Sequence, residues 1–357
     1  MTPHLTLDRY VYEDIYPAFK EATDEKEITA NLSRDFLNYL TQRNLIFAGN
    51  TPAAVADIGC GPCDTLIKYL HGVRFEPGFT VRATDYLAEY ADAERGEALQ
   101  TLRAAQAANS IKLAGFSVRA GDAFGGKLLE LLSGPHDGAR MRRAFSLVYA
   151  SHVMYHAETS SEVQRLLADV ADNLLAGNGI CILFHIANRP GTFQDFRARF
   201  GSQAGATSDS DTGAVTIDDP PAQISAACAR LELPLYQMEF VTTLRFDSRR
   251  DEEWRAFKDP GSYDSLADSN PAAYEDLKRL YFIIQRAPLE FAADRSATGL
   301  NVFIDEIRRV IEANHGVLPA IEGMQVFSRA DAAPILGKSI TEALAATVAA
   351  GAGKSPG

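Results

Sequence analysis

Two short stretches gather the residues whose types and spacing could do chemistry. The first is Val55-Ala56-Asp57-Ile58-Gly59-Cys60-Gly61-Pro62-Cys63-Asp64, an apolar run that turns through two glycines into a helical pattern. Glycine takes up backbone shapes closed to other residues and lets a ligand approach the main chain. Two further acids end later apolar runs, Asp85 after Thr80-Val81-Arg82-Ala83-Thr84 and Asp122 after Ala120-Gly121. An acid in the position of Asp85 can accept both hydroxyls of a ribose, and Asp122 could reach an adenine amino group. Thr65-Leu66 stands where G-x-G-x-x-G would place its third glycine, which disfavours a pyrophosphate ligand. The second stretch is Tyr149-Ala150-Ser151-His152-Val153-Met154-Tyr155-His156. His152 suits proton transfer near neutral pH or the orientation of an acceptor, and Tyr155 offers a ring face to a cation.

The N-terminal segment adds candidates of another kind. Tyr10 and Phe19 have the type and spacing of a helical lid over a ligand cleft, with Tyr12 between them. Asp24, in an acidic break after that helix, could meet a cationic substrate. Tyr12, Phe19, Asp24 and His156 are therefore the expected substrate contacts. Cys60 and Cys63 are read as small loop residues rather than a redox pair. No second cysteine pair stands at metal-binding spacing, so no metal site is expected.

The elements that must position these residues alternate in period. Short apolar runs at 53–58, 80–85, 116–119, 145–150 and 179–186 read as strands buried on both faces. Helical patterns follow the first four, among them Ser161 to Leu175 with Val163, Leu166, Leu167, Val170 and Leu174 on one stripe. This alternation predicts an α/β doubly wound sheet. Residues 235–246 and 323–328 read as sixth and seventh strands. Residues 201–219 read as a mobile loop, and 250–315 as mostly helical. The expected organisation is an N-terminal helical lid over 1–48, a Rossmann-like core over 49–248 and a helical insertion over 249–320. The last strand and helix then take 321–348, with a disordered tail at 349–357.

Composition narrows the function. The 357 residues are 46% hydrophobic and 23% charged, which suits a soluble globular chain. The net charge of −12 and pI near 5.1 argue against nucleic acid and against anionic membrane surfaces as partners. No apolar stretch has the roughly 18 residues of a membrane span. Four cysteines make no disulfide framework, and a reducing cytoplasmic compartment is expected. Oligomeric state is not legible.

The glycine loop, Asp85 and Gly121-Asp122 together resemble the three cofactor motifs of class I S-adenosylmethionine-dependent methyltransferases. The resemblance covers about residues 50–190. It implies a seven-stranded sheet with an antiparallel last strand and S-adenosyl-L-methionine as cofactor. It also implies transfer of a methyl group to a small-molecule acceptor. Tyr10, Asp57, Gly59, Gly61, Asp85, Asp122 and Ser151 then form the expected cofactor set, with His152 and Tyr155 as the catalytic pair. A narrower likeness is to histamine N-methyltransferase. It rests on the Arg9-Tyr10-Val11 helix, His152-Val153-Met154-Tyr155, and Arg197-Ala198-Arg199-Phe200-Gly201-Ser202. That family has a polar amide where His152 stands here. The likeness implies an amine nitrogen as acceptor. The alternative is an oxygen or carbon acceptor with His152 as base.

Overall fold

The computed structural model describes residues 12–133, 138–200, 219–284 and 297–352. Its strands are β1 (Ala53–Ile58), β2 (Phe79–Asp85), β3 (Leu113–Ala120), β4 (Phe145–Ser151), β5 (Leu175–Ala187), β6 (Leu235–Arg245) and β7 (Val317–Ser328). The helices that matter below are α1 (Tyr12–Ala22), α2 (Glu25–Gln42), α3 (Asp64–Leu70), α4 (Glu97–Ala107) and α5 (Ser160–Asp169). They continue with α6 (Phe193–Phe200), α7 (Pro220–Arg230), α8 (Pro271–Ile284), α9 (Ala297–Ala313) and α10 (Ala333–Ala352). The strands form one seven-stranded sheet in the order β3-β2-β1-β4-β5-β7-β6, the α/β architecture expected from the sequence.

Parallel pairing is what builds a site at one edge. Val55 lies opposite Val81 on one side and Leu147 on the other, and Ser151 lies opposite Phe184. With β1 to β5 parallel, the ends of β1, β2, β3 and β4 converge on the same edge of the sheet. Ligands bind outside that carboxyl edge in open α/β sheets.

The described chain packs as two compact units. The sheet unit comprises Lys26–His185, Gly213–Glu239 and Gly323–Gly357. Its core sets Ile58, Val148 and Leu183 from the strands against Val163, Leu166 and Leu167 of α5. Each such side chain, fully buried, contributes about 1.5–3 kcal/mol. Beyond α5 the chain makes a π-helical turn, Val170–Leu174, before β5 begins. Helix α2 belongs to this unit: the Ser33 hydroxyl hydrogen-bonds the buried Tyr149 phenol, and the Asn178 amide donates to Leu45 O at 3.0 Å. The expected 1–48 lid is therefore divided, because α2 has its own partners on β4 and β5.

The helical unit comprises Met1–Glu25, Ile186–Thr212 and Phe240–Glu322. Trp254, Phe257, Leu277, Leu280, Phe303 and Ile307 fill its core, and α1 packs on α8. A buried acid organises its polar side: Asp276 accepts from Asp247 N at 2.8 Å and Ser248 N at 2.6 Å and pairs with Arg279. The expected 249–320 insertion is thus part of a larger unit that includes α1 and α6. At the other end of the chain α10 runs to Ala352, past the residue where the tail was expected to begin. The expected loop over 201–219 and residues 353–357 lie outside the described residues, apart from Asp219. No described helix is long and apolar enough to cross a membrane.

Candidate active site

The loop after β1 is shaped by its glycines and pinned to β2. Gly59 has φ +68°, and a Cβ there would fall inside the Val153 side chain. Gly61 has φ +48° with open space where a Cβ would stand, so its main chain is approachable. Gly59 N and Cys60 N both donate to Thr84 O, at 2.8 and 3.0 Å. Asp85 completes the closure: Oδ2 accepts from Gly61 N at 2.8 Å and Oδ1 from Leu87 N at 3.0 Å. A carboxylate has about four acceptor positions, so Asp85 keeps capacity for a ligand. Cys60 and Cys63 are buried in the same turn. The hydrogen bond to Cys63, then burial, push the Cys60 thiol well above its ordinary range. That suits loop packing, not redox chemistry.

Beside the loop lies a cleft of about 420 Å³ confined to the sheet unit. Gly59, Asp85, Asp122, His152 and His156 line it, which brings together five of the residues chosen from the sequence. Asp122 Oδ1 accepts from Phe124 N at 2.8 Å, which sets the carboxyl at the end of β3. Four of the lining residues are acidic (Asp85, Asp122, Glu158 and Glu162), and none is Lys or Arg. Glu162 is also the return half of a capping box on α5, accepting from Thr159 N at 3.3 Å while Glu162 N donates to Thr159 Oγ1. Tyr86, 60% exposed, stands with its ring 5.7 Å from that of His156. His156 therefore sits beside the residue that follows Asp85.

Asp57 lies behind the loop, 7% exposed and not among the lining residues. Burial, then Asp85 and Asp64, push its carboxyl up to about 8. Ser151 Oγ is 3.3 Å from the Tyr69 hydroxyl, a contact within the unit rather than one toward the cleft.

His152 follows β4 with φ +56°, and its N–H donates to Phe184 O at 2.8 Å. A left-handed backbone is uncommon outside glycine, and strain of this kind clusters at functional positions. Its Nδ1 lies 3.3 Å from the Tyr155 hydroxyl, with the two rings nearly parallel at 6.0 Å and 18°. His152 lines the cleft, and Tyr155 stands beside it without lining the cleft itself.

The N-terminal expectations fare differently. Phe19 is core: its ring stacks on Phe282 at 4.1 Å and lies 5.6 Å from Phe193. An aromatic held on two sides within the helical unit has no face left for a substrate. Asp24 is a structural tie, its carboxylate accepting from Thr243 N at 2.6 Å and Thr243 Oγ1 at 2.7 Å. Both substrate assignments are corrected. Tyr10 lies outside the described residues, and Tyr12 is described only as the first residue of α1.

Tyr86, Glu158 and Glu162 line the cleft, and His185 is buried beside His152, without standing out in the motifs of the sequence. Tyr86 could have been found by its place directly after Asp85, and Glu162 by the Thr-x-x-Glu capping pattern. His185 had a fainter signal, one imidazole in an otherwise apolar strand.

No protein-family profile and no curated protein matches the chain. Among solved structures it is similar to the YcgJ protein of Bacillus subtilis, at 14% identity and TM-score 0.42 over 78% of this chain and 93% of that one. It is also similar to a protein of Galdieria sulphuraria described as a candidate sarcosine dimethylglycine methyltransferase, at 10% identity and TM-score 0.39 over 83% and 85%. A third is an arsenic(III) S-adenosylmethionine methyltransferase of Chlamydomonas reinhardtii, at 12% identity and TM-score 0.36 over 79% and 64%.

Proposed function

We propose that this protein is an S-adenosylmethionine-dependent methyltransferase acting on a small molecule, with an amine nitrogen as the first-choice acceptor. The cleft carries the reading. It sits at the carboxyl edge of a parallel sheet, with one carboxylate at the end of β2 and another just past β3, and no Lys or Arg lines it. A dinucleotide or nucleoside phosphate would meet four acids there, whereas a sulfonium-bearing nucleoside is cationic.

The residues present fit that cofactor. Asp85 has acceptor positions left for ribose hydroxyls, Asp122 lines the same cleft and supports a reading as the acceptor of the adenine amino group, and Gly61 leaves open space along the main chain. When bound, the cofactor supplies a methyl group activated on sulfur, so the protein has mainly to align an acceptor and manage its proton. His152 is the group that can take the proton, from an ammonium after transfer or from a hydroxyl or carbon acid during it. Tyr155 steers the imidazole through Nδ1. That 3.3 Å contact is also what favours the second reading, an oxygen or carbon acceptor with His152 as base. The four cysteines, all free and buried, suit a reducing cytoplasm.

Calorimetry with S-adenosylmethionine and with NAD separates the methyltransferase from a dehydrogenase. Incubation with S-adenosylmethionine and a panel of amines, phenols and carbon acids, read as S-adenosylhomocysteine formed, then ranks the acceptors. Tighter binding of NAD, or no product from any acceptor, would overturn the proposal.

A further inference from the structure

The proposed cofactor is more than a cation. Its amino-acid end carries a carboxylate beside its ammonium, and the cleft offers four acids and no Lys or Arg. The ammonium suits such a place, whereas the carboxylate is repelled unless a basic side chain meets it. The order of the strands says where that end falls. On the proposed reading Asp122, just past β3, takes the adenine, and Asp85, at the end of β2, takes the ribose. The ligand then runs on toward β1, the next strand in the sheet. Gly59 lines the cleft, and Gly61 and Asp64 follow it along the same turn, outside the lining.

A lysine is held at that turn. Lys26, in the first turn of α2, brings Nζ to 3.3 Å from Asp64 Oδ2 and 3.4 Å from Oδ1, and both residues belong to the sheet unit. The lysine side chain is 19% exposed, so salt and water screen its charge less than that of a surface lysine. Asp64 opens α3 directly after Cys63 and lies close enough to Asp57 to help raise that carboxyl. Its separation from Lys26 exceeds the roughly 2.7–2.9 Å of a tight charged hydrogen bond, so the two are neighbouring charges rather than a clamp. We propose that Lys26 is a specificity-determining residue for the cofactor, the counter-ion of its amino-acid carboxylate, which shares the lysine with Asp64. The inference rests on the methyltransferase reading. It calls on the charge of Lys26 at this turn, not on an unused donor. A lysine that merely ties α2 to α3 is the rival role, and the two part when either partner is removed.

The test is calorimetry on the wild type, Lys26→Met, Lys26→Arg and Asp64→Asn with two ligands. S-adenosylhomocysteine carries the amino-acid end. 5′-Methylthioadenosine has the nucleoside and the sulfur without it. The wild type should bind S-adenosylhomocysteine at least about tenfold more tightly than 5′-methylthioadenosine. Lys26→Met should weaken S-adenosylhomocysteine by about ten- to hundredfold, the range for a hydrogen bond to a charged group, and leave 5′-methylthioadenosine unchanged. Lys26→Arg keeps the charge and should recover most of that loss. Asp64→Asn removes the competing carboxylate and should bind S-adenosylhomocysteine at least as tightly as the wild type. Unchanged S-adenosylhomocysteine binding in Lys26→Met would overturn the proposal, as would equal weakening of both ligands. A loss in Asp64→Asn as large as that in Lys26→Met would assign the pair to the fold and overturn it too. A wild type that forms product yet binds the two ligands equally sinks this inference alone. A wild type that binds neither ligand and forms no product sinks the methyltransferase reading, and the inference falls with it.

Discussion

Asp57→Asn is the substitution whose consequence the structure sets most sharply. The folded carboxyl titrates near 8, raised first by burial and then by Asp85 and Asp64. In the unfolded chain an aspartate titrates near about 3.9. Between these values the unfolded chain has lost the proton and the native protein keeps it. Stability therefore falls as pH rises, by up to about 1.4 kcal/mol per pH unit, and levels off above about 8. From pH 5 to pH 8 that is roughly 4 kcal/mol at most. An asparagine in the same place is uncharged throughout, so the variant lacks this component. Urea unfolding of both proteins at pH 5, 6.5 and 8 isolates it, because every other titrating group is common to the pair. The variant should gain on the wild type across the series, by a few kcal/mol overall. If the difference between the two proteins is flat from pH 5 to pH 8, Asp57 is ionised at neutral pH and its environment has been misjudged.

Two further outcomes are expected. Asp85→Ala removes the acceptor for Gly61 N and Leu87 N and, on the proposed reading, for the ribose, so S-adenosylmethionine binding by calorimetry should weaken by about 1.5–3 kcal/mol. An unchanged dissociation constant would show that the loop holds its shape and its ligand without Asp85. His152→Asn keeps a hydrogen bond but cannot take the proton. Turnover should drop by about 10²–10⁴-fold if His152 is the base of an oxygen or carbon acceptor, and stay near normal with an amine that reacts neutral.

The sheet and the loop were legible because each is a local pattern: an apolar run, a glycine turn and an acid at the next strand end. What was not local was misread. Asp85 was visible as a carboxylate, but its bond to Gly61 N depends on β1 and β2 lying side by side. Phe19 has the three-to-four spacing that a lid and a core helix share, and only Phe193 and Phe282, far along the chain, decide between them. Asp24 looked free because its partner, Thr243, stands on β6. The division of the N-terminal helices was hidden likewise, since Ser33 reads as an ordinary helical polar residue until Tyr149 is beside it.

The left-handed backbone at His152 sorts amino acids before chemistry does. Asparagine, aspartate and glycine enter such a conformation at little cost, and β-branched residues are all but barred from it. A change of acceptor chemistry at this position is thus confined to a handful of side chains, whatever the pocket around it becomes. Exchanging histidine for asparagine there alters proton handling with the main chain left in place. Valine or threonine would instead have to move the end of β4, and with it Val153, whose side chain already occupies the space above Gly59. On the proposed function, the permitted substitutions at one torsion angle therefore set the routes by which a relative of this protein could acquire a different methyl acceptor without rebuilding the glycine loop.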